Sequence, residues 1–362
     1  MSPRNILLVV SLLLSVLIGA VLSRRTEGHA GTRPNPAHDG RTQLVIGLSM
    51  DTLKEARWQA DRDMFVARAQ ELGAKVLVQA ANSDDTVQMK DCESLIASHV
   101  DVLVIVPHDG VAMAKAVEKA AALGIPVIAY DRLIKNADVT LYTSFDNVEV
   151  GRQQARYLLG RLQNRGSIVR IYGAPTDNNA KLFKQGQDEI LEPLIAQGAI
   201  KVVHEDWTEE WKPENAKRIL QAAITKGAKF DAVLAANDGT AGGAIQALEE
   251  EKLTGILVTG QDAELAACQR IAAGTQAMTI YKPVRTLARG AAELAVALAK
   301  HEIVIANATT DNGRRAVPSL LHRVITVDQG NLAQTVVADG FHSYEDVYRG
   351  VPAERRPPPP QP

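Results

Sequence analysis

The chain is poor in several features that would point quickly to a function. Two cysteines, Cys92 and Cys268, occur among 362 residues, too few for a disulfide framework or a cysteine-built metal site. Each falls on the apolar side of a helical pattern (Met89, Cys92 and Ile96; Leu265, Cys268 and Ile271), which predicts two buried free thiols. An excess of one charge is also missing. The 40 Lys and Arg against 42 Asp and Glu leave a formal net charge of -2, and no basic block supplies the face that nucleic acid requires. Short catalytic signatures are absent too: no Gly-x-Ser-x-Gly elbow, no Gly-x-x-x-x-Gly-Lys loop and no His-Glu-x-x-His, and the eight histidines are scattered. The glycines of "NDGTAGGA" precede Asp262 at a distance suited to a dinucleotide fold, but Gly239-x-x-Gly242-Gly243 is not Gly-x-Gly-x-x-Gly. They read as small residues that permit close helix-to-strand packing. Neither catalysis nor a cofactor is expected.

Aromatic residues make up only 4% of the chain, so the places where they gather carry information. Before them comes an apolar run from Ile6 to Leu22, with Arg4 ahead of it and Arg24 and Arg25 behind. That is the build of an export leader over residues 1–30, or of a membrane anchor if it stays uncleaved.

From Leu44 onward, short apolar runs alternate with helix-period segments. "QLVIGLSM", "AKVLVQA", "VDVLVIVP" and "IPVIAYD" form a first series; "GSIVRIYG", "IKVVHEDW", "FDAVLAAND", "GILVTGQD" and "QAMTIYKP" form a second. Strands without polar alternation are covered on both faces, which means parallel sheets flanked by helices. With 46% hydrophobic residues and a length beyond one ordinary domain, the chain is expected to form two doubly wound α/β domains. One comprises 42–145 with 283–320, the other 146–282 with 321–350. Three crossings, near Asp146, Lys282 and Ile325, would make a hinge. The ending "VPAERRPPPPQP", residues 351–362, reads as a disordered Pro-rich tail.

Ligands of open α/β sheets bind outside the carboxyl ends of the strands. Here those ends are rich in forked polar groups: Asp131 and Arg132 after "IPVIAY", Asn237 and Asp238 after "AVLAA", Gln261 and Asp262 after "ILVTG", Lys282 after "AMTIY". Arg57 and Trp58 follow the first strand, "DNNAK" follows "IVRIYG", and Trp207 and Trp211 follow "IKVVHED", so all three tryptophans lie in these loops. Forked Asp, Asn and Arg groups satisfy the donor and acceptor hydroxyls of a sugar, and an indole covers its C-H face. The plainer alternatives are helix caps for Asp177 and Asp238 and a surface ion pair for Asp131 and Arg132.

The stretches "EARWQADRD", "AYDRLI", "SFDNVEVG", "DNNAKLF", "WKPENA", "ANDGTAGGAIQAL" and "TGQDAELAACQRIAAGTQAMTIYKP" resemble, in order and spacing, the type I periplasmic sugar-binding proteins of ABC transporters. "YDRLI", "DNNAKLF" and "WKPENA" together resemble the D-xylose-binding branch. The resemblance implies hydroxyl contacts from Arg57, Asp131 and Arg132 of the first domain and from Asn179, Asn237 and Asp262 of the second. Lys282 would reach the ligand from a crossover, and Trp58 and Trp211 would sandwich the ring; Trp207 is left as a wall or core residue. It further implies a monomer in the periplasm that takes up an aldose, D-xylose foremost, closes around it, and hands it to a membrane permease. A membrane-tethered sugar sensor that presents its liganded form to a signalling partner is the alternative. A DNA-binding regulator with the same core would need a head domain where the leader stands.

Overall fold

The computed structural model describes residues 43–360; the apolar run Ile6–Leu22, and with it the leader or anchor, falls outside them. The first series folds as β1 (Val45–Met50), α1 (Ala56–Glu71), β2 (Lys75–Ala80), α2 (Asp85–Ala97), β3 (Val102–Ile105), α3 (Ala114–Ala122), β4 (Val127–Tyr130) and β5 (Leu141–Phe145). The second runs α4 (Asn147–Leu162), β6 (Gly166–Tyr172), α5 (Asn178–Ala196), β7 (Ile200–Trp207), α6 (Pro213–Thr225), β8 (Ala232–Ala235), α7 (Asp238–Glu250), β9 (Leu257–Val258), α8 (Leu265–Ala273) and β10 (Thr279–Tyr281). Then follow α9 (Val284–Ala299), β11 (Ala308–Asp311), β12 (Ala316–His322), β13 (Ile325–Val327) and α10 (Tyr344–Tyr348).

Three sheets result: seven strands in the order β11-β12-β5-β4-β3-β1-β2, four in the order β7-β6-β8-β9, and the pair β10-β13. Every pairing is parallel except β11 with β12 and β10 with β13. All four residues of β3, of β4 and of β8 are buried, as strands covered on both faces must be. On one face of the large sheet Ile46, Leu48 and Val104 pack with Phe65 of α1 and with Leu287, Ala291 and Ala295 of α9. On the other, Leu103 and Ile105 meet Leu95 of α2 and Val117 of α3. In the four-stranded sheet, Val169 and Val233 pack with Leu220 of α6 and Ala244 of α7, and Ile168 and Leu234 pack with Leu158 of α4 and Leu191 of α5. Each Val, Leu, Ile or Phe among them contributes roughly 1.5–3 kcal/mol by leaving water. Both cysteines are buried free thiols.

The elements follow local signals. Asp84 caps α2 through Val87 N, and Asp146 caps α4 through Glu149 N. Pro213 opens α6 at a position whose N–H would be unpaired anyway. Beyond α9 the apolar stretch 316–327 forms two separate strands, β12 and β13. The chain leaves β12 at His322 to pair β13 antiparallel with β10, so it crosses from the large sheet to the other layers a final time. Among the described residues no helix is long and apolar enough to cross a membrane.

Two expectations need correction. Residues 351–360 of the ending are held against the body: the Tyr344 hydroxyl donates to the Pro357 carbonyl at 2.6 Å, and Arg356 Nε donates to the Val351 carbonyl at 2.7 Å. Proline there stiffens a strap that side chains tie down. The small residue Gly243 permits a helix-to-helix contact, not a helix-to-strand one, because a Cβ at 243 would run into the Pro213 carbonyl at the start of α6.

Candidate functional site

All nine candidate residues, Arg57, Trp58, Asp131, Arg132, Asn179, Trp211, Asn237, Asp262 and Lys282, line one cavity at the carboxyl ends of the strands of both sheets. Its free volume is about 70 Å³, several times the roughly 10–15 Å³ that one water needs. It is built for a small polar molecule rather than a single water or ion.

Arg57, in the first turn of α1, is the electrostatic centre. Its guanidinium pairs with Asp131, lies 3.3 Å from Asp262 Oδ1, and has Nε 3.5 Å from Asp61 Oδ2. Burial pushes the Asp61 carboxyl up to about 6, against the pull of Arg57 and of the Tyr130 hydroxyl that donates to it. Burial also works to raise Asp131, but Arg57 and Lys282 outweigh it and hold that carboxyl below the usual range. Lys282, 2% exposed at the end of β10, has Nζ 3.4 Å from Asp262 Oδ1 and lies over the rings of Phe145 and Phe183.

Asp131 and Arg132 are both buried and do not pair with each other, which removes the surface ion-pair reading. Asp131 sits at φ +61°, a left-handed conformation that aspartate tolerates better than most residues. There its carbonyl accepts from Ser144 Oγ at 2.6 Å, and its Oδ1 accepts from Asn179 Nδ2 at 2.9 Å. Asn179 comes from the first turn of α5, so this bond joins the ends of the two sheets, and Asn147 Nδ2 supports it by donating to Asn179 Oδ1 at 2.9 Å. Arg132 turns the other way, with Nη1 2.7 Å from Asp51 Oδ2 and Nε 3.0 Å from Asp177 Oδ2.

Asp177 does cap α5, accepting from Asn179 N at 2.8 Å, but its second oxygen also takes the Trp211 indole N–H at 3.2 Å. Asp238 is not a cap. Asn237 caps α7, accepting from Thr240 N at 2.9 Å, and its Nδ2 is left to donate elsewhere. Asp238 is instead fully buried, taking Gln276 Nε2 at 2.8 Å and Thr279 Oγ1 at 2.9 Å. The guanidinium carbons of Arg57 and Arg132 lie 4.4 and 5.2 Å from the Trp58 ring centre. Trp207 lines no part of the cavity and packs on Tyr172, with ring centres 4.9 Å apart.

Ser83, Asp131, Glu210, Trp211 and Asp262 all line the cavity and all have positive φ without being glycine. Strain of this kind is retained where the surroundings over-determine a functional geometry. Against this geometry, residues 46–303 match the family model of a periplasmic binding protein domain. The chain belongs to the periplasmic binding protein family. It is 49% identical over 84% of its length to the D-xylose-binding periplasmic protein of Haemophilus influenzae, spanning 92% of that protein. It is 47% identical over 84% of its length to the protein of the same name from Escherichia coli, spanning 93% of it. A crystal structure of a carbohydrate transporter solute-binding protein from Chloroflexus aurantiacus in complex with D-glucose superposes with a TM-score of 0.79 at 35% identity, covering 84% of this chain and 98% of that one. The two doubly wound parallel sheets are thus the type I fold of that family.

This binding protein also lines its cavity with residues that the sequence reading passed over: Asp51, Thr52, His108, Phe183 and Glu264. Asp51 ends "LVIGLSMD" and His108 ends "VLVIVPH", so both stand at strand ends as Asp131 does. Burial pushes the Glu264 carboxyl up to about 7, with Asp262 adding to the shift.

The Trp211 indole lies directly over Gly173, where any Cβ would overlap the ring. Gly173→Ala is therefore expected to displace Trp211. The change should weaken ligand binding about tenfold, or about 1.4 kcal/mol, less than the roughly 2 kcal/mol or more that outright loss of a buried aromatic anchor costs, and blunt the ligand-induced change in tryptophan fluorescence. A parent-like fluorescence titration would show that the Trp211 ring is not at the ligand.

Proposed function

We propose that this protein captures an aldose monosaccharide, D-xylose foremost, and delivers it to the permease of an ABC transporter. The observation that carries the reading is the convergence of Asp131, Arg132, Asn179, Asn237, Asp262, Arg57 and Lys282 on one cavity with two tryptophans. Charged and amide forks meet sugar hydroxyls there while indoles cover C-H faces. The names of the relatives at 49% and 47% identity agree with that chemistry. The large sheet with α9, and the four-stranded sheet with the β10-β13 pair, act as two lobes that turn about the crossings near Asp146, Lys282 and Ile325. Contacts from both lobes favour the shut form once sugar is present, and the permease recognises that form. The protein works in the periplasm as a monomer, with no cofactor, and leaves its ligand chemically unchanged.

D-xylose should raise the melting temperature, because a ligand at a hundredfold excess over its dissociation constant stabilises the folded state by about 2.7 kcal/mol. Sucrose and amino acids should not. No shift with any aldose in a thermal panel overturns the reading.

A further inference from the structure

We propose that Asp51 and His108 are positioning residues that aim the Arg132 guanidinium at the ligand. The inference rests on the reading above that Arg132 bonds the sugar. Two of the three guanidinium nitrogens face protein acids: Nη1 donates to Asp51 Oδ2 at 2.7 Å and to the Pro107 carbonyl at 3.1 Å, and Nε is ion-paired at 3.0 Å with Asp177 Oδ2. Nη2 makes no hydrogen bond to the described residues, which leaves it to reach a ligand. The Trp58 ring, 5.2 Å from Arg132 Cζ, supports the group from its flat side.

Asp51 also has the imidazole of His108 behind it, as a charge neighbour rather than through a well-aligned hydrogen bond. Its Oδ1 lies 3.0 Å from His108 Nδ1, so one carboxylate spans the imidazole and the guanidinium. Although burial tends to raise it, the neighbouring His108 and Arg132 draw the Asp51 carboxyl down to about 2, and it stays ionised through the neutral range. His108 is fixed in turn by Gln88, a fully buried amide of α2. Gln88 Oε1 accepts from His108 N at 2.8 Å and its Nε2 donates to the Val106 carbonyl at 2.8 Å. The line Gln88, His108, Asp51, Arg132 thus runs from the interior to the cavity. An arginine already held in its binding geometry loses less side-chain freedom when ligand arrives, and affinity rises accordingly.

The test is calorimetric titration of D-xylose into the full chain and its variants. Asp51→Asn should lower affinity about tenfold, yet cost less than twofold when introduced into Arg132→Lys, because the role is exerted through Arg132. His108→Ala should lower affinity at least threefold, and His108→Asn, which can place Nδ2 near the position of Nδ1, should recover most of it. The proposal is overturned by parent-like affinity in Asp51→Asn, by an equal tenfold loss in the Arg132→Lys background, or by no recovery in His108→Asn. Should Asp51→Asn not fold, parent-like affinity in His108→Ala overturns it alone. A parent chain that binds no aldose would instead sink the functional reading itself.

Discussion

Arg57→Met should abolish sugar binding and cost about 3–5 kcal/mol of stability, the range for stripping a buried charge network of its partner. The expectation follows from the crowding around that guanidinium. Asp131, Asp262 and Asp61 all lie within 3.5 Å of it, and without it three carboxyls would share a water-poor site with Lys282 as the nearest cation. The loss should depend on pH, with a definite sign. Asp61 already has a folded-state value raised to about 6, so its contribution is most favourable below the unfolded carboxyl range and is lost as pH rises through about 6. Removing Arg57, which lowers Asp61 and Asp131, pushes both further up. The variant should therefore lose stability between pH 5 and pH 8 more steeply than the parent. Urea unfolding at the two pH values measures it. A cost under about 1 kcal/mol with no added pH slope would show that Arg57 is not the counter-charge of the site.

Asp131→Asn should weaken D-xylose binding at least tenfold, or about 1.4 kcal/mol. The substitution keeps the shape and one acceptor but turns the other oxygen into a donor. It removes the charge that faces Arg57 and the acceptor, Oδ1, that Asn179 Nδ2 uses at 2.9 Å. A lost charge-assisted bond in a closed cleft costs about 1.5–3 kcal/mol. Asparagine tolerates the left-handed backbone at φ +61°, so the backbone of the variant should hold. Alanine does not suit that conformation and would also abandon Arg57, so Asp131→Ala should lose stability as well as affinity. Titration calorimetry of Asp131→Asn decides the point, and unchanged affinity would move the sugar away from this carboxylate.

Why were these nine side chains readable from sequence when others in the same cavity were not? Most of the nine follow apolar runs, such as "IPVIAY" and "AVLAA", and the parallel-sheet geometry sends whatever follows such a run to the ligand end; Trp211 follows the polar-tipped "IKVVHEDW", and it was the resemblance to the sugar-binding family that singled out these nine among the strand-end residues. Asp51 and His108 also follow apolar runs. Asp51 gave a weaker signal because it is a single charged residue before Thr52 and Leu53, and His108, although Asp109 follows it, is an imidazole behind a proline rather than a fork. The backbone strain at Asp131, Trp211 and Asp262 had no sequence signal, since none is the glycine that advertises positive φ.

The fold was legible where burial is apolar and obscure where it is polar. Strand β5 reads "LYTSF" and buries Thr143 and Ser144 as completely as its apolar residues, so no apolar run announces it. Helix α4 buries Asn147, Gly151 and Gln154 beside Val150, Ala155 and Leu158, which blurs its 3.6-residue period. Both surprises lie at the first crossing. Asn147 there bonds Asn179, and Gln154 Nε2 donates to the carbonyls of Ala236 and Gly260 at 3.0 and 3.1 Å, tying α4 to the ends of β8 and β9. Polar residues are buried at these places because they set the geometry around the cavity, and a pattern of hydrophobicity does not register them.

The most direct test of the account is a crystal structure of the chain grown with D-xylose. The expected result is one sugar in the cavity, its ring between Trp58 and Trp211 and its hydroxyls bonded to Asp131 and Arg132 from one side and to Asn179, Asn237 and Asp262 from the other. A sugar bound elsewhere on the molecule, or a cavity that holds only water at saturating xylose, would contradict it.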